Sequence, residues 1–135
     1  MIEIELNKII IDEKRQDQII VLKEKGGERH FPIVIGFLEA SSIKMNVSGI
    51  NPPRPMTHDL LLLMLESLDA ELECLIIDKM VDNTFHAKLK IRTKDGNETI
   101  VDSRPSDGVA LAVRAGAPIY ALEEVIEKAV IFKAK

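Results

Sequence analysis

The most unusual chemical feature of the chain occurs twice. Arg54-Pro55 lies just before a helix that opens near Thr57, and Arg104-Pro105 lies at the mouth of a helix that includes Ser106. Proline fixes the backbone at each entry, and each arginine stands beside amide donors at the positive end of a helix dipole. Those are the parts of an anion or phosphate site: oriented N–H groups plus a bidentate cation. Each block also carries a carboxylate in the first helical turn, Asp59 or Asp107, and Asp102 ends the strand ahead of the second block. A carboxylate beside an arginine and a phosphate has the chemistry to bind Mg²⁺ or Mn²⁺ or to orient a water. Asp59, Asp102 and Asp107 are therefore candidate divalent-ion ligands and candidate catalytic groups. Capping explains any single Asp, Ser or Pro here equally well, and each arginine could pair with its neighbouring Asp. The repeated arginine is the part that capping does not require.

His58 sits beside Asp59 at a helix start, where it could serve as a general acid or base. His30, His58 and His86 have none of the close spacings of helical zinc sites, so no zinc site is expected. Glu39 opens an earlier helix and reads as a solvated residue favoured by the dipole. Cys74 falls in the apolar run from Leu72 to Ile77 and reads as a core filler. Ser41, Ser42, Ser103 and Ser106 lack a nucleophile-elbow pattern, and Gly26-Gly27 lacks the flanks of a phosphate-binding glycine loop. No organic cofactor is expected.

These residues need a scaffold, and apolar periodicity outlines one. Strands are expected at Ile2–Asp12, Gln18–Lys23 and Phe31–Ile35, then a helix at Leu38–Val47 stopped by Gly49. A proline-stiffened loop leads to a helix at Leu60–Leu68, N-capped by Thr57 and apolar on most sides, hence expected to be well buried. Strands follow at Glu71–Met80, Thr84–Arg92 and Thr99–Asp102, a helix at Pro105–Arg114, a short strand at Pro118–Tyr120 and a last helix at Leu122–Ile131. The pattern predicts an α+β fold, with mostly antiparallel strands in hairpins and about four helices. Three strands and two helices occur in residues 1–67 and again in 68–135, so a βββαα internal duplication within one domain, 1–135, is a further expectation.

Composition narrows the function classes. With 135 residues and 46% hydrophobic content the chain can bury a core. Eighteen Lys plus Arg against 22 Asp plus Glu, a net charge of -4, argue against a protein that coats nucleic acid. Four Phe, one Tyr and no Trp leave little to stack on bases. No apolar run approaches the ~20 residues of a membrane span. The N-terminus alternates like a strand and has no signal-peptide regions, and one cysteine excludes an internal disulfide. A cytoplasmic protein that contacts no membrane is expected, with edge strands that favour a homo-oligomer, a dimer first.

Three blocks resemble the bifunctional nuclease domain family: Pro32-Ile-Val-Ile-Gly-Phe-Leu-Glu-Ala-Ser-Ser-Ile, Pro53-Arg-Pro-Met-Thr-His-Asp-Leu-Leu, and Asp102-Ser-Arg-Pro-Ser-Asp-Gly-Val-Ala-Leu-Ala-Val-Arg. The resemblance spans roughly Glu5 to Ala129. The family's Asp-Gly-Thr-Phe turn is here Asp82-Asn83-Thr84-Phe85, where Asn keeps a left-handed turn available. Gly108 stands where the family has Ala, at a cost to helix stability of about 1 kcal/mol.

The resemblance implies hydrolysis of DNA and RNA but assigns no catalytic residues, so the roles remain those read from the helix mouths. The expected activity is metal-assisted phosphodiester hydrolysis, weak and not sequence-specific. Arg54 and Arg104 would hold phosphate, Asp59, Asp102 or Asp107 would bind the ion or orient water, and His58 would assist proton transfer. The alternative is a non-catalytic, self-associating module that takes an anionic metabolite or a protein partner at the same helix ends.

Overall fold

Strand periodicity and a small-residue helix together dictate the architecture. The computed structural model describes residues 1–129. Strands β1 (Ile2–Ile10), β2 (Asp17–Glu24) and β3 (His30–Gly36) are followed by helices α1 (Phe37–Val47) and α2 (Thr57–Ser67). Strands β4 (Glu71–Val81), β5 (Thr84–Arg92) and β6 (Glu98–Ser103) precede α3 (Pro105–Ala115), β7 (Ile119–Ala121) and α4 (Glu123–Ala129). The fold is α+β: seven mostly antiparallel strands in one curled sheet, ordered β3-β2-β1-β7-β4-β5-β6, with four helices among the described residues.

Each half contributes a three-stranded meander, and the two meanders run outward from β7. That strand pairs antiparallel with β1 and parallel with β4, the sheet's one parallel pairing among the described residues. The short segment that looked like an extra strand is thus the central seam, starting at Ile119 rather than Pro118. Alternation sets the faces: on β3, Phe31, Ile33 and Ile35 are buried while Val34 is exposed. Pro32 sits on this edge strand, where a missing ladder donor costs little. The first strand ends at Ile10 because Asp12 turns away, its carbonyl held by the buried Gln18 side chain at 3.0 Å.

Phe31 and Phe85 show how strongly the sheet curls. β3 and β5 are five strand spacings apart, roughly 24 Å in a flat sheet. Their rings nevertheless stack with centroids 5.6 Å apart. The hollow is filled by α3, on which Val109, Ala110 and Ala112 are fully buried.

Gly108 reflects this close fit. A Cβ there would come within 2.4 Å of the Leu75 Cδ1. Its lost helix propensity is therefore offset by helix-on-strand contact. Gly108→Ala is expected to lower unfolding stability by about 1 kcal/mol, the net of overpacking against the propensity gain. Urea denaturation checks this, and adding Leu75→Val should recover part of the loss.

One expectation about burial is corrected. α2 begins at Thr57 with Met56 as N-cap, three residues before Leu60, and is not buried. Leu60, Leu61, Leu63, Met64 and Leu68 are 39–71% exposed, and His58 is the helix's buried residue. The core is already filled by α3, so α2 lies on its flank and packs inward through Leu62 and Leu65. The expected continuation of α4 to Ile131 falls outside the described residues. No helix among the described residues is long and apolar enough to cross a membrane.

Candidate functional site

The polar centre forms where the N-terminal ends of α1, α2 and α3 meet. His58, in the first turn of α2, faces inward and is 93% buried (7% exposed). Its Nδ1 lies 2.8 Å from the Ser42 Oγ and its Nε2 lies 3.0 Å from the Asp107 Oδ1. With a carboxylate beside Nε2, that nitrogen carries the proton, and in the neutral ring Nδ1 accepts from the Ser42 hydroxyl. The other Asp107 oxygen, Oδ2, accepts from Arg104 Nε at 3.0 Å and lies 2.9 Å from its Nη2 in an ion pair. Glu39 Oε1 lies 3.8 Å from the same Nη2. Ser42, His58, Asp107, Arg104 and Glu39 thus form one chain of contacts, from buried Ser42 to Arg104, whose side chain is 68% exposed. This chain lines a cavity of about 1000 Å³ whose other walls are mostly apolar, including Leu38, Leu61, Met64 and Val101.

Three of the sequence-derived candidates, His58, Asp107 and Arg104, meet here. The others are placed elsewhere. Arg54 is exposed in the loop before α2, has no partner among the described residues and lines none of the cavities described. The two Arg-Pro blocks are therefore not twin sites. α2 is entered through Met56, and its first turn is closed by Asp59 rather than by an arginine.

Asp59 accepts the Met56 amide at 3.0 Å on one oxygen and Arg114 Nε at 2.9 Å on the other. Asp102 borders the cavity, but its carboxylate pairs with Lys88 Nζ at 2.9 Å, its cross-strand neighbour on β5. The three carboxylates proposed as metal ligands are thus each held by a different cation. Among the described residues no three His, Cys, Asp or Glu side chains cluster as a metal site. The donor set at the His58 cavity, with a guanidinium seated on Asp107, does not fit Mg²⁺ or Mn²⁺, so no step below is derived through a metal.

Three residues gain roles that the sequence did not signal. Glu39 is not a solvated acid: its side chain is 19% exposed and folds back over Gly36, where a Cβ would overlap its carboxylate. Glycine at the α1 N-cap makes room for it. Ser42 is buried against His58. Arg114, its side chain 5% exposed, donates to Asp59, to the Ser42 carbonyl at 3.0 Å and to the Ala110 carbonyl at 3.2 Å. It ties α1, α2 and α3 together behind the site. Cys74 is buried as expected, and burial pushes its thiol pKa up.

The carboxylates titrate below their ordinary value, for different reasons. Asp59 is lowered chiefly by the Met56 amide, with help from Arg114, against the opposing effect of burial. For Asp107 burial is the largest single influence and acts upward, but the bonds from His58 and Arg104 together outweigh it. A lowered folded-state pKa means that the charged form is favoured by folding. Its contribution is complete above the unfolded carboxylate range and is lost as pH falls through the depressed folded value, below 3.8. Urea-denaturation stability should therefore fall as pH drops from about 4. Asp59→Asn should make that fall shallower.

The fold and site define an α+β protein whose polar network is built at the N-terminus of its central helix. Comparison with known sequences places it more closely. Residues 20–134 match the family described as Bifunctional nuclease domain, and the chain belongs to that family. It is 37% identical to uncharacterized proteins from two strains of Mycobacterium tuberculosis, over 94% of this chain and 75% of theirs. It is 28% identical to Bifunctional nuclease 2 of Oryza sativa subsp. japonica, over 77% of this chain and 33% of that protein.

Proposed function

We propose that the chain hydrolyses phosphodiester bonds, with Arg104 as the phosphate anchor and Asp107 as the base that activates water. The observation that carries this reading is the double hold on Asp107, with His58 on one oxygen and Arg104 on the other, at the wall of a large cavity. In the resting protein the bonds from His58 and Arg104 together keep the carboxylate charged and weakly basic. A phosphate that engages the guanidinium competes for it, releasing Oδ2. Burial, the strongest upward influence on this group, then raises its proton affinity where a water can be deprotonated. His58 is a positioning residue: both ring nitrogens are engaged, and it holds Oδ1 while Ser42 fixes the ring.

The test is turnover of a single-stranded oligonucleotide by wild type and Asp107→Asn, purified identically and assayed both with a chelator and with Mg²⁺ or Mn²⁺. Wild type should cleave in the presence of chelator, and Asp107→Asn should not. Equal turnover by both proteins would assign the activity to a contaminant.

One observation favours the alternative of a non-catalytic, self-associating module. The apolar belt of α2 is more hydrophobic than a lone surface helix normally presents. Self-association with no turnover in any arm would select that reading.

A further inference from the structure

We propose a second phosphate subsite on the opposite side of Arg104, in a cavity of about 520 Å³ lined by Arg104, Ser106, Thr84 and Asp17. The inference deepens the phosphodiester reading, on which the choice of phosphate as the anion rests. It begins at the 11-residue helix α3, whose N-cap, Arg104, makes no side-chain capping bond. The first amide bonded within the helix is that of Gly108, which donates to the Arg104 carbonyl at 3.0 Å. Pro105 has no amide hydrogen, so the donors left at this end are those of Ser106 and Asp107.

Ser106 is the second, independent feature. It is 6% exposed and lines this cavity, and its hydroxyl makes no hydrogen bond among the described residues. Its Oγ is not sealed off, so the hydroxyl stands open as a donor to whatever enters the cavity. Arg104 bonds to its acids through Nε and Nη2, leaving Nη1 without a partner among the described residues. The Ser106 amide and hydroxyl and one Arg104 N–H on this lining, with the Asp107 amide one residue further along the helix, make an oxyanion cradle. Asp17 is the only carboxylate among the described residues on the lining of this cavity. Its negative charge favours a singly charged diester over a doubly charged terminal phosphate. Arg104 and the first turn of α3 form the partition between the two cavities, so neighbouring phosphates of one strand would straddle them.

Amide resonances of the whole chain, followed by NMR during titration, test this without reference to turnover. The probes are inorganic phosphate and an unphosphorylated thymidine dinucleotide, whose one anion is its diester. The Ser106 and Asp107 amides are expected to shift with the dinucleotide. Ser106→Ala should weaken binding about tenfold, the loss of one charge-assisted hydrogen bond. Asp17→Asn, which removes the carboxylate facing the bound anion, should strengthen it about threefold or more. Shifts with inorganic phosphate alone would retain the site for free phosphate rather than for a strand. Neither probe moving these two amides, or both variants binding as wild type does, would overturn the proposal. Binding without cleavage would keep the subsite and defeat the hydrolase reading. Cleavage that depends on Asp107, with the two amides silent, would defeat the subsite alone.

Discussion

Asp107→Asn is expected to lower kcat on a single-stranded oligonucleotide by two to four orders of magnitude, the usual worth of a positioned proton acceptor. The substitution is nearly isosteric: the amide oxygen can still accept from Arg104, while its NH2 faces His58 Nε2, which can accept in the other neutral tautomer. What it removes is the ability to take a proton from water. KM should change little if Arg104 is the anchor. Arg104→Ala should show the converse, a rise in KM with a smaller effect on kcat. His58→Gln should fall between them and distort the pH–rate profile, because it loosens Oδ1 without removing the carboxylate. Circular dichroism and thermal melts separate these effects from unfolding: Asp107 has a third of its side chain exposed, so the fold should survive. Unchanged kcat in Asp107→Asn would remove the base from the mechanism.

The largest expected effect on stability belongs to Arg114→Ala, at about 3 kcal/mol, near the lower end for breaking a buried ion pair. Three acceptors depend on this one guanidinium: the Asp59 carboxylate and the carbonyls of Ser42 and Ala110. Removing it leaves one oxygen of a partly buried carboxylate unpaired while uncoupling α1 and α2 from α3. The expected fall in Tm is roughly 10 °C for a chain of this size. Arg114→Lys keeps the charge but cannot reach three acceptors at once, so it should restore only part. Arg92→Ala is the matched control. Its ion pairs with Glu71 and Glu73 lie on the sheet surface, and its side chain is 47% exposed. Its cost should stay below about 1 kcal/mol. Equal losses for the two arginines would refute the special role of Arg114.

The two arginines also mark how far local sequence carries. Arg54-Pro55 and Arg104-Pro105 look alike in the chain, each just ahead of a helix, although the next Asp follows at different distances. Arg104 is an N-cap whose helix is driven into the sheet, so it stands between two cavities. Arg54 lies two residues before its N-cap on a helix that remains on the flank. Asp59, Asp102 and Asp107 were likewise all candidates, yet each is held by a different set of cations: Arg114, Lys88, and Arg104 with His58.

The sequence alone determined the elements, because strand alternation, turn residues and helix caps act over a few residues and are written locally. It also determined the α+β class and the buried Cys74, and it named His58, Asp107 and Arg104 as candidates; that these three meet is a product of the fold. Tertiary structure decided the rest. It placed β7 at the seam, left α2 exposed and turned Glu39 inward over Gly36, and it made Ser42 and Arg114 part of the site. These depend on which helix first fills the curl of the sheet and on partners up to 72 residues apart, such as Arg114 and Ser42. Long-range packing of that kind is chosen by shape and burial, which no local spacing records.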